Sequence, residues 1–208
     1  MKTVVITGGT GGLGTEVTAR LSRDYRCLVL YRGHAPEGVD GVQTDLLNES
    51  SVRNAFDEVG ELYALVHLAG GFVPGDVAST SFATWTQMLS LNTTAAFLAI
   101  REALPRLTKP GRIVAVSSIS SIKQAAGVAA YTVSKAALNT LVETTALEQK
   151  GSGITVNAVL PDSMATPAML ESMEASKLVP LDRVAETIAF LLSDAAASIS
   201  GALIPLRR

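Results

Sequence analysis

Residues 6–15 read Ile-Thr-Gly-Gly-Thr-Gly-Gly-Leu-Gly-Thr (ITGGTGGLGT), directly after the apolar pair Val4-Val5. Five of the eight residues from Thr7 to Gly14 are glycine. Two patterns overlap there: Gly9–Gly14 fits G-x-G-x-x-G, and Thr7–Gly14 fits T-G-x-x-x-G-x-G. In both, a strand feeds a glycine turn that opens a helix, whose unpaired N–H groups and dipole favour an anion. Glycine permits the backbone angles and lets a pyrophosphate approach the chain. A glycine turn that merely joins a strand to a helix has the same composition, so the turn alone does not decide the function. No Lys-Ser/Thr pair follows the glycines, which disfavours an NTPase phosphate loop.

The rest of the chain agrees with a nucleotide-type fold. At 208 residues it is expected to form one domain, 1–208, with a sizeable core. A hydrophobic content of 48% suits a parallel sheet covered on both faces. A net charge of −2 offers no electrostatic case for nucleic acid or an anionic membrane. Apolar runs are short and none follows a positively charged leader, so neither a membrane span nor a signal peptide is expected, and cytoplasmic location is the default. Cys27 is the only cysteine and is assigned to strand core.

Strands are predicted at Thr3–Thr7, Cys27–Tyr31, Val42–Asp45, Ala64–Leu68, Arg112–Ser117, Ile154–Leu160 and Ala202–Leu206. Helical periods fall near 13–23, 50–58, 82–107, 131–150 and 182–193, the last opened by Asp182 as a cap. This alternation predicts an α/β fold, a doubly wound parallel sheet of about seven strands with helices on both faces. No repeat, low-complexity tract or linker divides it.

The second strand ends Tyr31-Arg32-Gly33, without the acid that usually holds a ribose 2′-hydroxyl. Arg32 stands where its guanidinium would pair with a 2′-phosphate, or is simply a solvated strand-end arginine. The pattern favours NADP(H) over NAD(H). The strongest chemical stretch is Ala130-Tyr131-Thr132-Val133-Ser134-Lys135-Ala136. On a helix Tyr131 and Lys135 share a face, and the ammonium would draw the phenol towards useful proton transfer. Ser118, at the end of a predicted buried strand, would orient a carbonyl oxygen beside that tyrosine.

With these residues in their order, the sequence closely resembles the short-chain dehydrogenase/reductase family, over nearly its whole length. The resemblance implies a Rossmann-like sheet and assigns Thr7, Gly8, Gly12 and Gly14, with Thr10, Gly11 and Leu13 between them, to the dinucleotide. It places Tyr31, Arg32, Asp45, Leu46, Ala69 and Gly70 along the same cofactor. Asn92, Ser118, Tyr131 and Lys135 match the family's catalytic positions. Tyr131 would transfer the proton, Ser118 bind the reacting oxygen, Lys135 hold the nicotinamide ribose, and Asn92 hold a water linking Lys135 to solvent. Pro161 and Thr166 match the segment that contacts the carboxamide. No metal is implied. The implied partners are a small-molecule carbonyl or alcohol and further copies of the chain, as a homodimer or homotetramer.

Some positions depart from the family pattern. His67-Leu68-Ala69-Gly70 replaces the usual Asn-Asn-Ala-Gly, and Pro161-Asp162 replaces Pro-Gly. His67 is expected to be structural, and Asp162 either a turn residue or a source of substrate polarity. A short lid, about 162–181, suggests an open site for a flat or bulky substrate, with Met164, Met169, Leu170 and Met173 either lining it or packing in the core. Ala69-Gly70-Gly71, Leu160–Met169 and Ser200–Leu203 are similar to dihydropteridine reductase, a branch that lacks the serine present here as Ser118. The expected activity is NADP(H)-dependent hydride transfer on a carbonyl/alcohol pair. Reduction of a quinonoid ring and a non-catalytic NADP(H)-binding redox sensor are the alternatives.

Overall fold

The structure is a computed structural model describing residues 1–35, 38 and 40–208. Its seven strands are β1 (Thr3–Thr7), β2 (Arg26–Tyr31), β3 (Gly41–Gln43), β4 (Leu62–His67), β5 (Leu107–Val116), β6 (Ile154–Pro161) and β7 (Leu203–Leu206). They lie in one sheet in the order β3-β2-β1-β4-β5-β6-β7. Every pairing is parallel, from Val4 beside Cys27 and Ala64 to Val159 beside Ile204. The helices are α1 (Gly12–Leu21), α2 (Glu49–Val59), α3 (Phe82–Leu89), α4 (Ala95–Ala103), α5 (Ala129–Glu148), α6 (Pro167–Leu170) and α7 (Leu181–Leu192).

The alternation of side chains along each strand divides the core into two layers. Val5, Ile113, Ala115, Val156 and Ala158 pack beneath α2, α4 and α5, with Phe56, Ala99 and Leu138. Val4, Ile6, Val114, Val116 and Val159 pack beneath α1 and α7, with Val17, Leu21, Ile188 and Leu192. β4 is buried at all six positions, as a central strand covered on both faces should be. Each buried aliphatic side chain of this kind contributes about 1.5–3 kcal/mol of transfer free energy, so the two layers dominate the favourable side of folding. Cys27 lies in the second layer as a free, buried thiol.

Three predicted boundaries move. The helix expected over 82–107 is α3, a π turn over Ser90–Thr94, α4, and a 3-10 turn over Leu104–Arg106. β5 starts at Leu107, five residues before the predicted Arg112, through the polar Thr108 and Lys109. Asp182 does not cap α7: the cap position is Pro180, and Asp182 sits in the first turn, where its charge complements the helix dipole.

Candidate active site

The sheet order reverses between β2 and β4, the two neighbours of β1, and ligands of such sheets settle in the crevice at that switch point. A groove of about 350 Å³ opens there, at the ends of β1, β2 and β4. Gly8, Thr10 and Gly11 form one wall; Tyr31 and Arg32 form a second; Asp45, Leu46, Ala69 and Gly70 complete it. Thr44, Leu68, Leu91 and Ala95 also line it and were not singled out in the sequence.

The glycines of the turn divide the work between closure and access. Gly8 has φ +71°, and a Cβ there would lie 2.7 Å from the Ala69 nitrogen. A Cβ on Gly14 would fall 2.1 Å from the Gly8 carbonyl oxygen. These two permit the tight crossing of strand, turn and helix. Gly11 is exposed, and a Cβ there would meet nothing nearer than the Gly8 oxygen at 3.5 Å, so its bare face belongs to the groove. Leu13 and Gly14 are buried on the inner side of α1 and support the turn from behind.

Helix ends sharpen the contrast. Asn48 and Ser81 cap α2 and α3 by accepting the N–H groups of Ser51 (2.9 Å) and Thr84 (3.1 Å). α1 is preceded at its cap position by Gly11, which offers no side-chain cap, and has no acid in its first turn. Its free N–H groups and the exposed Arg32 give the groove an anion-seeking character that fits a phosphorylated dinucleotide. Asp45, at the opposite wall, accepts the Leu47 N–H through its carboxylate at 3.0 Å while its own N–H donates to Ser51.

Behind the turn, Thr7 shares a 2.9 Å hydrogen bond between its hydroxyl and Nδ1 of His67 and receives the Ala69 N–H at 3.4 Å. His67 is fully buried, and its Nε2 has no partner among the described residues. Burial, reinforced by the nearby Lys135 charge, pushes its pKa down to about 3, so the imidazole is neutral. Its place is the brace between β1 and β4.

The four residues matched by resemblance converge next to this brace. Asn92 lies in the π turn, a feature that recurs at functional sites because it shifts one residue out of helical register. Its Oδ1 accepts the Gly71 N–H at 2.9 Å, and its Nδ2 donates to the Gly71 carbonyl and the Ser134 hydroxyl, each at 3.0 Å. Lys135 is 5% exposed and donates to the Val116 carbonyl at 2.9 Å. A Cβ on Gly70 would lie 2.5 Å from the Asn92 amide oxygen and 3.2 Å from the Lys135 ammonium. That position therefore has to be glycine. Desolvation lowers the Lys135 pKa to about 8, and among the described residues no carboxylate compensates it.

Tyr131 stands one turn before Lys135 on α5. Burial raises its pKa, and the nearby hydroxyl of Ser118 partly offsets that rise. Ser118 lies two residues past the end of β5 and opens a 3-10 segment, Ile119–Ser121, whose Ser120 N–H it caps at 3.3 Å. Ser121 donates to the Ser118 carbonyl at 2.5 Å and receives Asn139 Nδ2 at 2.7 Å. Asn139 follows Lys135 by one helical turn, so α5 itself holds the loop that carries Ser118. Its part in the site was not visible in the sequence.

Pro161 is buried at the end of β6, away from the groove lining. Asp162 is exposed and accepts the Ser163 N–H at 2.8 Å, which makes it a turn residue. The lid that follows is pinned by a bridge between Met164 and Val179 and folds over the glycine turn. A Cβ on Gly12 would meet Pro167 at 3.4 Å and Thr166 at 3.7 Å. Met164 packs against the core, whereas Leu170 and Met173 stay exposed.

Comparison with known proteins gives the frame a family. Residues 30–206 match the family model described as enoyl-(acyl carrier protein) reductase. The chain is 30% identical over 224 residues to the 3-oxoacyl-[acyl-carrier-protein] reductase MabA of Mycobacterium avium, covering 99% of this chain and 88% of that protein. It is 29% identical over 235 residues to the 2,5-dichloro-2,5-cyclohexadiene-1,4-diol dehydrogenase LinX of Sphingobium indicum, covering 99% and 94%. A short-chain dehydrogenase of Burkholderia cenocepacia, solved in complex with NADP, superimposes with a TM-score of 0.88 at 28% identity, covering 99% and 96%. The chain belongs to the short-chain dehydrogenase/reductase family, whose members are NAD(P)-dependent oxidoreductases.

Proposed function

We propose that the protein is an NADP(H)-dependent reductase or dehydrogenase acting on a carbonyl/alcohol pair, with Tyr131 as the proton donor and acceptor. The observation that carries this is the placing of Tyr131, near the Ser118 hydroxyl, one helical turn from a buried Lys135 that no acid among the described residues neutralises. A nicotinamide bound in the groove supplies or accepts the hydride. Ser118 and Tyr131 both direct hydroxyls at one oxygen atom; the phenol gives its proton to that oxygen in reduction and takes it back in oxidation. The Lys135 charge stabilises the phenolate left behind. Asn92 holds the Gly71 backbone and so the floor beneath Lys135.

Arg32 supports NADP(H): it is exposed at the groove wall beside Tyr31, and no acid ends β2. The NADP complex of the Burkholderia relative supports the same choice. The two relatives by sequence are named for unlike molecules, an acyl-carrier-protein thioester and a chlorinated ring diol, so neither name transfers as a substrate. Exposed Phe97 on α4 and Leu147 on α5 support assembly as a homo-oligomer.

The test is a titration with NADPH and NADH in parallel, followed by turnover of a carbonyl panel. Wild type should prefer NADPH. Tyr131→Phe should keep that binding while turnover falls roughly 100-fold or more. Near-wild-type turnover in the variant would remove Tyr131 from the chemistry.

A further inference from the structure

Phe72 is 59% exposed, yet its ring centre lies 4.9 Å from that of Tyr131, at 80° to it. An edge-to-face pair leaves ring faces open to a third flat group. The chain is clamped on both sides of this phenylalanine. Upstream, Gly71 exchanges two hydrogen bonds with the Asn92 amide, at 2.9 and 3.0 Å. A Cβ at that position would lie 2.9 Å from Leu91. Downstream, the Gly75 N–H donates to Gly127 at 2.7 Å, and the Ala129 N–H donates to Gly75 at 3.0 Å. An apolar ring is thus held open to solvent beside a proton donor by contacts that reach both Asn92 and the start of α5.

The surroundings share its chemistry. The loop Gly71-Phe72-Val73-Pro74-Gly75 carries no charge. Ile122, just past the Ser118 turn, is 44% exposed. A hollow of about 330 Å³ lined by Val77, Phe82 and Trp85 adjoins Ala129 at the head of α5. A short open-chain polyol has no flat apolar face to offer such a rim, whereas an aryl or conjugated carbonyl does.

We propose that Phe72 is the stacking wall of the substrate site, and that the substrate is a flat conjugated carbonyl: an aryl ketone, an aryl diketone or a quinonoid ring. The assignment rests on the carbonyl/alcohol chemistry proposed above. In the reducing direction a hydride from the nicotinamide forms the new C–H bond, and the C=O π electrons take the Tyr131 proton to form O–H. The carbonyl is reduced and the nicotinamide oxidised, with no further reactant.

A matched pair of probes tests it: 1-phenyl-1,2-propanedione and 2,3-butanedione, which share the reacting dicarbonyl and differ by phenyl against methyl. With NADPH, wild type should favour the phenyl compound in kcat/KM by about 10-fold, carried by KM, in keeping with the size of aromatic pair interactions. Phe72→Leu, which keeps an apolar side chain, should bring that ratio close to one, and Phe72→Trp should preserve it. A ratio that Phe72→Leu leaves intact, or a wild type with no phenyl preference, overturns the stacking wall and leaves the carbonyl chemistry standing. Turnover of neither diketone nor of any carbonyl in the panel, by protein that binds NADPH, overturns both.

Discussion

Two buried cations touch the same strand. Arg112, in the middle of β5, is 2% exposed; Lys135, which donates to the end of β5 at Val116, is 5% exposed. Arg112 donates to the Gly111 carbonyl at 2.9 Å, reaches Asp194 at 3.7 Å and lies 5.9 Å from the Tyr63 ring centre. Lys135 has a backbone carbonyl and, among the described residues, no acid. One charge is compensated and belongs to the architecture. The other has no acid beside it among the described residues, at a cost in stability, and is the charge proposed to serve the phenol one turn away. Cavity size points the opposite way: the hollow beside Arg112 measures about 790 Å³, more than twice the groove at the glycine turn. Its walls are the ends of α5, β6 and the segment before β7, with none of the close glycine crossings that shape the smaller groove. The proposed chemistry lies with the tight packing and the uncompensated charge, not with the larger volume.

The sharpest way to break this contrast is Lys135→Met. Turnover should fall roughly 100-fold or more as the phenolate loses its cation. Stability at pH 7 should rise by about 1–3 kcal/mol, because a buried charge is replaced by an apolar chain of similar length. The sign follows from the shift: with the folded pKa at about 8 against 10.5, the folded state bears the cost of burying the charge below pH 8. Wild type therefore gains stability as pH rises from about 8 to 10.5, and the variant should not. Steady-state kinetics and urea unfolding at pH 7, 8.5 and 10 read both effects; a less stable variant would place Lys135 with the architectural charges.

His67→Asn is the next largest. The buried imidazole stays neutral down to pH about 3, while in the unfolded chain it takes a proton near 6.5. Wild type should lose up to about 1.4 kcal/mol per pH unit between these limits from this one group. Asparagine does not titrate and should flatten that slope. Parallel unfolding curves for the two proteins from pH 7 to 4 would show that His67 is not the neutral brace described.

Arg112→Met should be the quietest. Its partner Asp194 is 83% exposed, so no buried charge is stranded. Stability should stay within about 1 kcal/mol of wild type or rise slightly, with kinetic constants unaltered. A large loss of either would erase the distinction between the two cations.

Regions of the chain differed in how far the sequence revealed them. β1 could be read to the residue, Thr3–Thr7, because an apolar run meets a glycine turn with no ambiguity of period. Tyr131 and Lys135 were readable because helical spacing alone puts them together. The long helix over 82–107 was not: a π turn adds one residue without altering the apolar composition that suggested a continuous helix. β5 began unseen because Thr108, Lys109 and Pro110 break the apolar alternation while still joining the strand. Phe72 and Asn139 were silent for a different reason. Their roles depend on partners far along the chain, Gly127 and Ala129 for the Phe72 loop and Ser121 for Asn139, and no local pattern records such pairings.

The π turn at Ser90–Thr94 has a consequence for how this chain can vary in length. It works as a spacer of one residue between two helical segments that face different tasks, α3 beside α5 and α4 against the sheet. Each residue advances a helix by about 100°. Losing a single residue here would let the two segments fuse into one regular helix, turning Asn92 off Gly71 and Ser134 or turning the buried face of α4 off the core. The segment should therefore accept exchanges of side chain more readily than any change in its count, with the spacing of five residues acting as the key cut into the helix.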